Sequence, residues 1–236
     1  HMVDENGAIR YNLWDVAVIR QMLDGLVSWD VNLIRCHSSV SCWKGNYGNI
    51  QTNFQTLLTE ASQRGIYVIL DFYDIGYYGM GSSQDPVPWL PDNPDTPISD
   101  VTGYSNVTWA RETDIIPDIA SFAVFWGTIA NLLKNYPNVL FEFWNEPHRA
   151  PGQDVTQAAI DWFDATQQCI NAVRNAGANQ LILTQWGYGV AYYPGQTHRY
   201  SIIPWVTDYV NGLTDSQGNI IVSTHCYRTY DGFGRW

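Results

Sequence analysis

The feature that most constrains this chain is the run Ile66-Tyr67-Val68-Ile69-Leu70-Asp71-Phe72, almost unbroken in apolar, often β-branched residues. Such a run suits a strand covered on both faces, as in a parallel sheet clothed by helices, and not a half-solvated antiparallel sheet. Its surroundings agree. Residues 14–26 carry Val16, Val18, Ile19, Met22 and Leu23 at helical spacing, and 31–35 read as a short strand. Phe54, Leu57, Leu58 and Ala61 mark a second helix, closed by Arg64-Gly65. A loop rich in Gly, Pro, Asp and aromatic residues then occupies about 75–107, a length that within a domain points to function or mobility. Further on come a helix over 119–135, a strand over 138–144, a helix over 155–175 stopped by Ala176-Gly177, and a strand over 181–184. A weak helix over 202–210 and a strand over 220–223 follow. Five strands with four helical crossovers predict a single parallel α/β domain over 1–236.

Two parallel architectures compete. A doubly wound sheet is expected to carry a Gly-rich phosphate turn, and neither GxGxxG nor GxxxxGK[ST] occurs. A barrel gathers polar residues just beyond the C-terminal ends of its strands. Here they follow every strand: Arg35 and His37; Asp71, Tyr73 and Asp74; Asn145, Glu146 and His148; Gln185 and Trp186; His225 and Tyr227. The pattern favours a barrel.

Composition narrows the partner. Twelve Lys+Arg against 23 Asp+Glu give a formal net charge of -11, which excludes the basic footprint that nucleic acid or an anionic membrane needs. No apolar run approaches the roughly 18 residues of a membrane span. The 11 Trp and 15 Tyr are more than a core of this size normally needs, and composition fits equally an aromatic-rich core or a cleft in which rings stack on sugars. Trp43, Tyr77, Tyr78, Trp89, Trp186 and Tyr188 follow strands or sit in long loops, where such platforms belong. The four cysteines show no CxxC pair and no tight Cys/His spacing, which argues against a structural zinc site; no metal or cofactor is expected. Whether Cys36 and Cys42 bridge stays open at this level. His1-Met2 reads as a cloning remnant, so no native leader is visible.

The sharpest chemistry lies in Phe141-Glu142-Phe143-Trp144-Asn145-Glu146-Pro147-His148. Side chains alternate along a strand, so Glu142 and Glu146 share a face, with Glu146 at the mouth. Glu142 sits deep in apolar sequence and needs a partner, for which Arg35 is the best-placed cation. Glu146, at a strand end before a proline, belongs in a cleft.

Asn145-Glu146-Pro147 after an apolar strand resembles strand four of glycoside hydrolase family 5, the cellulase-like members of clan A. Asn32-Leu33-Ile34-Arg35 looks like that family's second strand, and Val68-Ile69-Leu70-Asp71-Phe72-Tyr73-Asp74 its third, although the family commonly has His where this chain has Tyr73. His225-Cys226-Tyr227 is similar to the His-x-Tyr closing strand six. The resemblance covers about 15–230 and implies a (β/α)8 barrel that cleaves β-glycosidic bonds with retention. It implies Glu146 as general acid/base, Asn145 on the sugar 2-hydroxyl, Arg35 holding the catalytic carboxylates, and His225 and Tyr227 supporting the second carboxylate and the -1 sugar. Trp186, Trp43, Tyr73, His37 and His148 are expected to line the substrate site. The substrate expected is a β-linked polysaccharide or oligosaccharide, with an extracellular home to match.

Retention needs two carboxylates about 5 Å apart, and the family takes its nucleophile from the end of strand seven. The chain has five glutamates, Glu5, Glu60, Glu112, Glu142 and Glu146, and none follows Tyr227. Strands two to six are recognisable, and counterparts of seven and eight are not. The expectation is therefore an incomplete barrel: a fragment of a longer enzyme in the first instance, otherwise one completed by another chain or by self-association, or a shortened homologue. The nucleophile stays unassigned. Asp71 or Asp74 is a poor substitute, because Asp is shorter and strand three does not set it opposite strand four's acid. A carbohydrate-binding half-barrel without catalysis is the alternative.

Overall fold

The computed structural model describes residues 15–38, 43, 49–72, 119–145, 155–185, 188–189, 200–201 and 211–223. Helix α1 (Val16–Ser28) begins where Asp15 accepts a bond from the Ala17 amide at 2.7 Å, a side-chain N-cap. It buries Ile19 and Leu23, one turn apart. Strand β1 (Leu33–Ser38) follows, then α2 (Ile50–Ser62), which buries Phe54, Leu57, Leu58 and Ala61 on one stripe. Gly65, at φ 69°, ends that helix in the left-handed conformation, and the Ile66 amide returns to the Ala61 carbonyl at 3.0 Å. Strand β2 is Tyr67–Phe72.

The second half repeats the plan with α3 (Ile119–Leu133), β3 (Val139–Glu142), α4 (Val155–Asn175) and β4 (Ile182–Gln185). A two-residue antiparallel pair, β5 (Tyr188–Gly189) with β6 (Tyr200–Ser201), precedes β7 (Ile220–Ser223). The main sheet runs β1-β2-β3-β4-β7, all parallel and in chain order. Neighbouring strands in sequence are thus neighbours in space, each joined by a crossover, as in a (β/α)8 barrel.

β1 lies two to three residues later than its expected span, because pairing with β2 continues to Ser38 opposite Phe72. β3 ends its ladder at Glu142, short of Trp144, yet the Asn145 amide still reaches the Phe72 carbonyl at 2.9 Å. Phe72, Phe141, Phe143 and Trp126 are fully buried against one another, the Trp126 ring lying 5.1–5.9 Å from the other three. Asn138, also buried, donates to the Leu58 and Ile66 carbonyls and so ties α2, β2 and β3 together. The expected helix over 202–210 and loop over 75–107 lie outside the described residues.

Candidate active site

Alternation along the strands sends Arg35 and His37 of β1, Asp71 of β2 and Glu142 of β3 to the sheet face opposite the aromatic layer. The registers His37 to Asp71 and Asp71 to Glu142 then set these groups side by side at the C-terminal ends of three strands. Arg35 is the hub. Its Nε donates to Glu142 Oε2 at 2.5 Å and its Nη1 to Asn145 Oδ1 at 2.9 Å, while Nη2 lies 3.2 Å from Asp71 Oδ2. His37 Nδ1 meets the same Asp71 oxygen at 2.5 Å, and its Nε2 lies 3.5 Å from Arg35 Nη1. From β7, Ser223 Oγ donates to Glu142 Oε1 at 3.2 Å.

Exposure sorts these groups. Asp71 and Glu142 are 0% and 2% exposed, Arg35 is 23% and His37 48%. The guanidinium therefore shields two buried carboxylates, and the imidazole stands at the open edge. Burial pushes the Glu142 carboxyl above its usual range; the Arg35 bond opposes this, and the neighbouring Asp71 charge reinforces it.

The expected Arg35–Glu142 pair is present, and Asn145 joins it through Arg35. Asn145 is fixed by backbone and side chain at once. Trp43 is a correction. It is 1% exposed and packs edge-on against Phe54 and Phe72, with ring centroids 5.5 and 6.1 Å apart, so it is a core residue with no face for a sugar. Cys36 is a free thiol, pushed up to about 11 by burial, which removes the Cys36–Cys42 bridge. Glu146, His148, Tyr73, Trp186, His225 and Tyr227 lie outside the described residues. Asp71 was legible as a polar strand end but not as the partner of His37 and Arg35. Ser223 carried no signal, since its bond to Glu142 crosses β4.

A parallel sheet of consecutive βα units with ionisable groups collected at the C-terminal strand ends defines a barrel of the enzyme-bearing (β/α)8 class. The model of the cellulase family, glycosyl hydrolase family 5, matches residues 7–236, and the chain belongs to that family. Endoglucanase 1 of Saitozyma flava is 32% identical over 142 residues, 58% of this chain and 38% of that protein. Among solved structures, endoglucanase Cel5A of Pseudomonas stutzeri in complex with cellobiose is similar at TM-score 0.54 and 20% identity, over 86% of this chain and 50% of that one. The glycoside hydrolase family 5 enzyme PbGH5A of Prevotella bryantii, as a mutant with a xyloglucan tetradecasaccharide, is similar at TM-score 0.54 and 19% identity, over 88% and 54%. The chain thus spans about half or less of the length of these relatives.

Proposed function

We infer that this chain is a retaining endo-β-glycanase, or the larger part of one, acting on β-1,4-linked glucan. One observation carries the reading: Asn145, next to Glu146, is held by Arg35 within a cluster of two buried carboxylates at the strand ends. Glu146 is the acid/base that protonates the leaving glycosidic oxygen and then deprotonates water. Asn145 takes the sugar 2-hydroxyl; His225 and Tyr227 support the -1 sugar; His37, Tyr73, His148 and Trp186 line the subsites. Cellobiose and xyloglucan in the two similar structures support a glucan-type substrate. A polymer of that size also supports an extracellular place of action. The test is incubation of the protein with soluble β-1,4-glucan, following new reducing ends and their anomeric form by proton NMR. Release of the β-anomer first supports retention, and absence of new ends defeats the glycanase reading.

A second reading is a carbohydrate-binding protein without turnover, and one observation favours it. The two glutamates among the described residues, Glu60 and Glu142, are both engaged by arginines, so neither is placed as a nucleophile. Micromolar oligosaccharide binding without new reducing ends would support it. We further propose that the outer strands are covered in the working protein, by further strands or a second copy, because Leu33 on β1 and Ile221 on β7 are 46% and 47% exposed. Sedimentation velocity that finds only monomer would remove the second-copy form of this idea.

A further inference from the structure

We propose that Ser223 is a positioning residue: its hydroxyl fixes Glu142 and, through Arg35, the side-chain amide of Asn145. The inference rests on the sugar-site reading above for the task that Asn145 performs. Register places Arg35, Glu142 and Ser223 in one layer on the sheet face opposite the aromatic rings. Arg35 pairs with Ile69, whereas Glu142 pairs with Asp71, two residues further along β2. Glu142 pairs in turn with Leu183, whereas Ser223 pairs with Gln185, again two residues further. That slide of one residue per strand is the shear of a (β/α)8 barrel, in which inward side chains from alternate strands share a layer. Bulky apolar groups normally fill such a layer. Here it is a chain of bonds: Ser223 Oγ donates to Glu142 Oε1 at 3.2 Å, Arg35 Nε to Glu142 Oε2 at 2.5 Å, and Arg35 Nη1 to Asn145 Oδ1 at 2.9 Å. Each oxygen of the buried Glu142 carboxylate thus has one donor among the described residues, and the pair of donors sets its plane. With the Ser223 hydroxyl removed, the carboxylate is free to turn about its soft terminal torsion, and the guanidinium follows it. Arginine only donates, so the Asn145 amide is held by its oxygen, and its orientation depends on where Arg35 sits.

The test compares the whole protein with Ser223→Ala, which removes the hydroxyl, and Ser223→Thr, which keeps it, all assayed well below their unfolding midpoints. On soluble β-1,4-glucan, Ser223→Ala is expected to lose about 10-fold in kcat, the low end for one bond to a charged group, with KM within about twofold. Ser223→Thr is expected to restore kcat to within about twofold of wild type. In 15N spectra the Arg35 Nε–H is expected to exchange slowly with water in the wild type and in Ser223→Thr, and about 10-fold faster in Ser223→Ala. A Ser223→Ala protein in which either kcat or the Arg35 exchange rate stays within about twofold of wild type overturns the proposal. So does a threonine variant that restores neither, or a loss confined to KM, which would make Ser223 a direct sugar contact. If Ser223→Ala does not fold, a wild-type Arg35 Nε–H that exchanges as fast as that of an exposed arginine still overturns it. Should the wild type release no reducing ends, the glycanase reading falls alone, and Arg35 exchange in the two variants still judges Ser223.

Discussion

On the helix-facing side of the sheet, Val68, Leu70, Phe72, Phe141 and Phe143 are fully buried, and Trp126 of α3 fills the space between the rings. The other side of the same strands carries Arg35, His37, Asp71 and Glu142. One backbone alternation thus supplies both a hydrophobic seam and a buried charge cluster. Burial of each large apolar side chain contributes roughly 1.5–3 kcal/mol, whereas burying ions costs about as much as their pairing returns. The raised Glu142 carboxyl shows desolvation outweighing the Arg35 bond on that face. The first face holds the fold, and the second holds a geometry at the fold's expense.

The comparison breaks if truncation of the seam is mild. Trp126→Ala should lower unfolding free energy by about 3–5 kcal/mol in urea, the usual cost of emptying a large buried aromatic site. Next in size is Arg35→Met, which leaves Asp71 and Glu142 buried together without their cation and should cost about 3 kcal/mol at pH 7. Protonating Glu142, whose carboxyl burial already raises, relieves the repulsion, so the loss should shrink at pH 4; equal losses at both would show that the two acids do not share the guanidinium.

An ion pair away from both faces calibrates these effects. Arg174 on α4 donates to both oxygens of Asp215 at 2.6 and 2.9 Å, and the amides of Gln217 and Asn219 hold the same carboxylate. These bonds, the Arg174 one foremost, depress the Asp215 carboxyl from 3.8 to about 2. A depressed acid stabilises above its unfolded value and loses that contribution as pH falls through the folded one. Asp215→Asn should therefore cost ~2 kcal/mol at pH 7, with the gap to wild type closing between about pH 4 and pH 2.

The smallest stability change belongs to Glu142→Gln, expected within about 1 kcal/mol of wild type and of either sign. Glu142 is raised, so its linkage runs the other way: wild-type stability is lost as pH rises from the ordinary glutamate value through the folded one. The glutamine variant should lack that slope and, on the proposed glycanase function, lose rate through a misaimed Arg35; paired urea titrations and rate measurements at pH 4.5 and 7 check both.

Much of this arrangement is legible in the sequence. Strand runs such as 66–72 announced a sheet buried on both faces, and the glycine stops appear as Gly65 and Gly177 at φ 69° and 81°. The Arg35–Glu142 pair followed from the cost of an unpaired carboxylate in apolar sequence. Lateral contacts were not legible. His37 and Asp71 are 34 residues apart, Ser223 and Glu142 are 81, and only inter-strand register brings them together. Trp43 misled because a tryptophan after a strand end looks the same in sequence whether it faces a cleft or folds back onto Phe54 and Phe72.

The central claim is the proposed role of Glu146, the residue after Asn145 in the sequence, as acid/base. Reducing-end release from soluble β-1,4-glucan by wild type and Glu146→Gln, read beside their thermal unfolding midpoints, tests it most directly. The account predicts a rate loss of about 10²–10⁴-fold with an unchanged midpoint. A Glu146→Gln protein that keeps its rate within a few-fold, or loses rate only as it loses its fold, would contradict it.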